Sequence, residues 1–456
     1  MKAATAAPVQ ESLDPADWGA LRAQGHRMFD DMFDYMEHIR ECPVWRPIPC
    51  DVRARFHEAL PLEPSDLAQV HRTFMQDILP FGVGNAHPGF MGCVHGGGTA
   101  MGMLAEMLAG GLNANLGGRD QIPIAVEQQV TRWMCELFGF PETASGLFVT
   151  GTSMANLIGL LVARSAAVGA GVRRKGVAAS GTRLTAYTSA GAHGCIAQAM
   201  ELFGLGSHAL RIIPMDASFQ ADTAALERVM SADRRSGYTP FFIAATAGTV
   251  DVGAIDDLDA LADIARKQRL WFHVDGAYGA LAMLAPEIAP RLAGIERADS
   301  IAFDFHKWGQ VPYDAGFILV KDATLHQSTF ASPAAYLRRE TRGMAAGSPW
   351  PCDFGPDLSR GFSALKTWFT LKVYGAPSTT NVKGQLAIRA AIVNHCANAG
   401  DIDALIEAAI AFGEQESMRS ESGVSMAATA SGVGAQAALR RGWAPCTATA
   451  DPLVSP

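Results

Sequence analysis

The sequence predicts an α/β protein built on a mainly parallel β-sheet covered by helices. Three observations carry that expectation. From about residue 82 to residue 375, short apolar runs alternate with amphipathic helical stretches, and Gly-rich turns separate them. The runs are four to eight residues long, the length of buried strands rather than of helices. Polar residues unusual for a core stand at the ends of the runs, where α/β sheets present ligand sites.

The elements follow in order. From Asp14 to about Leu79 apolar residues recur at three- and four-residue spacing, which predicts helix. Leu21, Met28, Phe29, Met32, Phe33 and Met36 form one stripe there, with no neighbouring core segment in sequence. Such a stripe has to bury against something, and a second subunit is one candidate. "GLFVT" then reads as a strand, followed by a Gly turn and the helix "SMANLIGLLVARSAA". "LTAYTS" leads to "GAHGCIAQAMELFG", whose Gly204 suits a helix end. "FFIAAT" leads through a Gly loop to the helix "DDLDALADIARKQ" and the strand "RLWFHVD". "SIAFDF" and "AGFILVK" are the last strands, and "DIDALIEAAIAFGEQ" is a further helix. Residues 417–456 are rich in Ala, Ser, Gly and Thr with little periodicity, so a loose tail is expected.

Composition narrows the class. At 456 residues the chain is long enough for two or three domains. The net charge of −8 and the lack of a basic stretch argue against a nucleic-acid or anionic-membrane surface. Eight scattered cysteines form no zinc or redox pattern, so reduced thiols and a metal-free, cytoplasmic enzyme are expected. The N-terminal stretch lacks the apolar core of a signal peptide, and no apolar run reaches membrane-spanning length.

Four strand ends carry chemistry. Gly151, Thr152 and Ser153 open a helix, where hydroxyls and N–H groups make either a helix cap or an anion site. His193 opens another helix. Asp275 ends a strand that reads as buried on both faces, and a buried carboxylate is costly without a cation or donors. Lys307 follows "SIAFDF", between His306 and Trp308; it either snorkels from an edge strand or is kept dry as a nucleophile. Taken together they supply what pyridoxal phosphate needs: a phosphate cradle, a group to stack on the ring, an acid for the pyridine nitrogen and a lysine for the aldehyde.

At this point "HVDGAYG" and "ADSIAFDFHKWGQVPYDAG" resemble the group II pyridoxal-phosphate-dependent amino-acid decarboxylases, which include aromatic-amino-acid, glutamate and histidine decarboxylases. The resemblance runs from about residue 15 to about 375 and includes "NAHPGFMG", "VTGTSMANL" and "GPDLSRGFSALKTWF". It implies an aspartate aminotransferase-like, fold type I large domain and a homodimer with its active site at the subunit boundary. By the same resemblance, residues 1–81 form a dimer-swapped helical segment, 82–375 the cofactor domain and 376–456 a small C-terminal domain.

The resemblance also implies roles. Lys307 is the lysine that takes the cofactor aldehyde, Asp275 the partner of the pyridine nitrogen and His193 the ring-stacking residue. Thr152 and Ser153 match phosphate contacts, Ala277 the opposite ring face and Thr246 the ring edge. Asp304 and His306 match cofactor contacts, and His306, next to the lysine, is also placed among the catalytic residues. Tyr336, in "SPAAYLRRE", matches the tyrosine that returns a proton to Cα after carbon dioxide leaves. His87, His95 and Arg360 fall on the substrate side. In relatives selective for aromatic substrates, bulky aromatic and proline residues stand where this chain has Cys93, Val94, His95 and Gly96. An aromatic substrate is therefore only the first choice. His95 contacts a polar substrate group or satisfies a backbone carbonyl.

Two rivals remain open at this level. Aldehyde synthesis or transamination would use the same cofactor. A cofactor-binding protein with impaired turnover is the other, because "AIRAAIVNH" and "DIDALIEAAIAFGEQ" resemble the last strand and helix of the family's small domain, arriving early. The strands expected between the long helix "LKTWFTLKVYGA" and these segments are then missing, and an unfinished sheet exposes unpaired edges.

Overall fold

A computed structural model describes residues 13–332, 338–376 and 394–421, with side chains to 411. The described residues fall into two compact units, dividing between Gly89 and Phe90 and between Ala397 and Asn398.

The first unit is helical. It holds α1 (Trp18–Glu37), α2 (Cys50–Arg55) and α3 (Leu67–Thr73), joined by the late helix α13 (Ala399–Glu421). Asp17 caps α1 by accepting from the N–H groups of Gly19 and Ala20, and Asp66 caps α3. Arg40 pairs with Asp401 at 2.9 Å, tying the segment after α1 to α13. The expected helices are therefore present; α13 groups with the N-terminal helices, the two units divide at 89/90, and most of the expected C-terminal domain, with the segment "AIRAAIV" and the tail from 422, lies outside the described residues. In α1 only Gln24 is buried; Leu21, Met28 and Phe33 stay exposed in this chain.

The second unit begins with α4 (Ala100–Leu112) and α5 (Ile122–Phe138), then alternates strand and helix: β1 (Ser145–Val149), α6 (Thr152–Val168), the short α7 (Val172–Lys175), β2 (Leu184–Ser189), α8 (Cys195–Leu202), β3 (Leu210–Ile213), α9 (Thr223–Arg235), β4 (Thr239–Thr246), α10 (Leu258–Gln268), β5 (Trp271–Asp275), β6 (Ser300–Asp304), β7 (Gly316–Val320), α11 (Ala323–Phe330) and α12 (Ser363–Tyr374). The strands form one sheet in the order β1-β7-β6-β5-β4-β2-β3, parallel except for β7. The mainly parallel expectation holds, with two departures. β3 escapes sequence reading because "LRII" is four residues with a charge inside it. β7 runs antiparallel, which a continuous apolar run does not signal.

Both faces of the sheet are covered, so β2, β6 and β7 are buried along their whole length. Side chains alternate between the faces. Ile243, Ala245, Phe272, Val274, Ile301 and Phe303 join the core shared with α5, α9 and α10. Phe242, Ala244, Leu147, Val149 and Ala302 face α6 and α8. That alternation sends His273 and Asp275 on β5, and Ser300 and Asp304 on β6, toward α6. Six cysteines (Cys42, Cys93, Cys135, Cys195, Cys352 and Cys396) are free thiols, whereas Cys50 is disulfide-bonded, which departs from the expectation of reduced thiols throughout.

Candidate active site

The carboxyl ends of β1, β2, β4, β5 and β6 lie at one end of the sheet, because all five run the same way. Every polar strand end singled out in the sequence collects there. Register puts Thr246 directly beside Asp275 across β4 and β5.

Asp275 is 3% exposed. Its Oδ1 accepts from the Ala277 N–H at 3.1 Å and its Oδ2 from Asn156 Nδ2 at 3.0 Å. Burial pushes its carboxyl above the ordinary range, opposed by those N–H groups and by the charges of Lys307 and His193. Among the described residues no cation lies within ion-pair distance of it. The Cys195 thiol is a third, longer donor to Oδ2 at 4.0 Å, and a buried carboxylate with only neutral donors is a site prepared for a cation supplied from outside the chain.

Lys307 sits one turn past the end of β6, not inside it; the apolar run misled because Phe305 continues it into the turn. Its Nζ lies 2.7 Å from Asp304 Oδ2, so the amine is held by a carboxylate rather than by apolar burial alone. Asp304 is 3% exposed, and its Oδ1 accepts from the Thr152 N–H at 2.8 Å. The start of α6 is thus partly committed to Asp304, which links the candidate anion site to the lysine. His306 accepts the Ala315 N–H at Nδ1, and burial lowers its pKa, so the neutral ring carries its proton on Nε2, 3.5 Å from Asp304.

Three buried hydroxyls at these strand ends, Thr152 Oγ1, Ser189 Oγ and Thr246 Oγ1, have no partner among the described residues. Buried hydroxyls are normally satisfied, so these mark where polar groups of a ligand would bind. Ser153 is exposed beside them, and His193 is exposed at the start of α8 with its Nδ1 accepting the Cys195 N–H at 3.2 Å. An anion cradle, a buried acid and an amine in one cleft fit pyridoxal phosphate.

A file of rings approaches the lysine. Phe90 stacks on His95 with centroids 5.6 Å apart, His95 meets the edge of Tyr313 at 6.3 Å, and Tyr313 lies 4.2 Å from the His306 ring. Burial and the charge of Lys307 both lower the pKa of His95. A side chain at Gly96 would strike the His306 carbonyl, so only glycine lets this segment approach the lysine turn.

Other expected residues fall elsewhere. Arg360 is engaged by the protein itself: its Nη2 donates to Glu127 Oε1 and Phe148 O, both at 2.8 Å, and its Nη1 donates to Leu116 O at 3.2 Å. With its side chain 7% exposed, the guanidinium is spent on the protein. His87 belongs to the helical unit, where its Nδ1 accepts the Gly89 N–H. Tyr336 lies outside the described residues. Sequence reading missed Asn156, although an asparagine amid "MANLIGLL" is a poor helix former in an apolar stretch and signals a required partner.

Comparisons with known proteins agree with this geometry. The pyridoxal-dependent decarboxylase conserved domain matches residues 49–410. The aromatic-L-amino-acid decarboxylase of Bacillus atrophaeus is 33% identical over 362 residues, covering 78% of this chain and 72% of the relative. The histidine decarboxylase of Drosophila melanogaster is 32% identical over 379 residues, covering 79% and 43%. Among solved structures, tryptophan decarboxylase of Catharanthus roseus in complex with L-tryptophan is similar with a TM-score of 0.70 at 26% identity, covering 80% and 76%.

Proposed function

The chain belongs to the pyridoxal-dependent decarboxylases, carboxy-lyases that use pyridoxal phosphate, and from that premise we propose that it removes the α-carboxylate of an L-amino acid, with an aromatic side chain as the first choice. Its fold is the aspartate aminotransferase-like, fold type I arrangement that the sequence resemblance implied. The observation that carries the reading is Asp275, a buried carboxylate with neutral donors on both oxygens and no cation within ion-pair distance among the described residues.

Bound in this cleft, pyridoxal phosphate would supply an electron sink for the bond broken at Cα. The chain's own residues do the rest. Asp275 holds a proton on the pyridine nitrogen, since a carboxylate in a dry site strongly favours a cation beside it. Thr152 and Ser153 hold the phosphate, Thr246 offers its unpartnered hydroxyl at the ring edge, and His193 and Ala277 flank the ring. Lys307 takes the aldehyde, and Asp304 and the His306 Nε2–H keep its amine in position. Tyr336, by family likeness, returns the proton to Cα.

The ring file of Phe90, His95 and Tyr313 supports an aromatic substrate, since flat apolar walls suit a flat side chain. We also assign a homodimer, on the exposed apolar stripe of α1.

The test is direct. Protein incubated with pyridoxal phosphate is reduced with borohydride and digested, and the modified peptide is expected to contain Lys307. Aromatic, acidic and imidazole amino acids are then screened for carbon dioxide. Equal yields of amine and carbon dioxide support decarboxylation; aldehyde with ammonia identifies the synthase reaction instead. Folded protein that takes no cofactor on Lys307 rejects the assignment.

A further inference from the structure

A buried file of side chains runs behind Asp275. Asn156 on α6 donates from Nδ2 to Asp275 Oδ2, and the same nitrogen lies 3.2 Å from Cys195 Sγ. Asn156 Oδ1 is 2.8 Å from His273 Nε2, and His273 Nδ1 is 2.7 Å from Ser300 Oγ. Ser300 Oγ in turn accepts from Trp271 Nε1 at 2.8 Å. His273 and Ser300 are 0% exposed and Asn156 1%. The packing admits His273 only because residue 159 is glycine; a Cβ there would sit 2.9 Å from the imidazole.

The file has a direction. The indole N–H donates and cannot accept. With Trp271 filling a lone pair of Ser300, the serine hydroxyl is free to donate to His273 Nδ1. Burial keeps the imidazole neutral, so its single proton then sits on Nε2 and is given to Asn156 Oδ1. The Asn156 amide is thereby fixed with its N–H group toward Asp275. Reversing the file would need a protonated Asp275 and would aim two N–H donors at Ser300, leaving the hydroxyl proton no acceptor in the file. An unsatisfied buried donor is costly enough to favour the first direction by roughly tenfold or more.

We propose that Trp271, Ser300, His273 and Asn156 form a one-way hydrogen-bond relay that holds Asp275 in its anionic form, with Asn156 and His273 as positioning residues for the cofactor's pyridine nitrogen. The proposal rests on the assignment of Asp275 to that nitrogen. Its hydrogen-bond direction, however, is a property of the cofactor-free chain.

The experiment uses protein labelled with 15N-histidine, without cofactor, and reads the tautomer of His273 from two-bond 15N–1H correlations. His273→Gln assigns the signal. The expected result is the Nε2–H tautomer alone. Trp271→Phe should let the Nδ1–H tautomer appear and should raise the cofactor dissociation constant by about 2- to 10-fold. Asn156→Leu should raise it by roughly 10- to 100-fold, the worth of a hydrogen bond to a charged group. If Asn156→Leu does not fold, Ser300→Ala breaks the same file two links away and should match Trp271→Phe. An Nδ1–H or doubly protonated His273 in the unmodified protein overturns the relay, as does wild-type cofactor affinity in Trp271→Phe and Ser300→Ala. Asp275→Asn separates the two readings: unchanged cofactor affinity in that variant removes the assignment of Asp275, whatever the tautomer shows.

Discussion

Replacing Arg360 with methionine separates a substrate contact from a structural ion pair. The guanidinium holds Glu127 and two backbone carbonyls, and the Glu127 side chain is 4% exposed. Methionine keeps much of the volume and removes every donor. It leaves Glu127 as a buried charge, and one of its oxygens, Oε2, already has no hydrogen-bond partner. Breaking a buried pair from one side costs about 3–5 kcal/mol. Against a total stability of roughly 5–15 kcal/mol this is a large share. At about 2–4 °C per kcal/mol, the scaling for domains of somewhat smaller size, the melting temperature should fall by about 6–20 °C. The assay is thermal unfolding by circular dichroism at fixed protein and cofactor concentrations, with KM measured on the folded fraction. Adding Glu127→Leu should recover much of the loss, because a matched apolar pair replaces a buried ion pair at little cost. A variant that melts within 2 °C of the wild type while KM rises tenfold would refute the structural assignment and restore Arg360 to the substrate.

Three further outcomes follow from the same structure. Asp275→Asn should keep the fold yet lower kcat/KM by roughly 100-fold or more, the scale seen when a preorganised electrostatic partner is removed; near-normal turnover would reject its role. Burial pushes the pKa values of His273 and His326 down to about 3, far below the unfolded value near 6.5, so the unfolded chain takes up those protons first. Stability is intact above pH ~6.5 and is lost as pH falls toward 3, by about 1.4 kcal/mol per pH unit for each histidine. Urea unfolding of His326→Gln between pH 6 and 4.5 should therefore show a slope smaller by about that amount, and an unchanged slope would contradict it. Placing glutamates at Met28 and Phe33 on the exposed stripe of α1 should shift the protein to monomers in light scattering, and an unaltered dimer would move the interface elsewhere.

What the sequence revealed depended on whether a signal is local. Strands β1, β2 and β4–β7 were legible because each is an apolar run bounded by turns, and Asp275 was legible because an acid ends such a run. The direction of β7 was not, since a strand buried on both faces reads the same either way. The Arg360–Glu127 pair was not legible because its partner lies 233 residues away in sequence, and nothing near Arg360 indicates that a buried Glu127 awaits it. The ion pair of Lys307 with Asp304 was not legible either: its carboxylate partner is only three residues back, but whether a side chain in a turn folds over its own strand end is a matter of geometry.

The relay behind Asp275 lies between these cases, and two periods expose it. On β5 and β6 the two-residue period puts His273 with Asp275, and Ser300 with Asp304, on one face, while strand pairing sets His273 opposite Ser300. On α6 the helical period stacks Thr152, Asn156 and Gly159 on the side turned to that face. Each polar residue looks like a flaw in an apolar segment when its element is read alone. Read across the packing, each supplies the partner another lacks, and only the last carboxylate is left without a cation. The relay satisfies its own polar groups and leaves one carboxylate without a cation among the described residues, at the same end of the sheet as the unpartnered hydroxyls of Thr152, Ser189 and Thr246. That pattern of satisfaction, more than any single motif, distinguishes a binding site for a cation from a merely polar core.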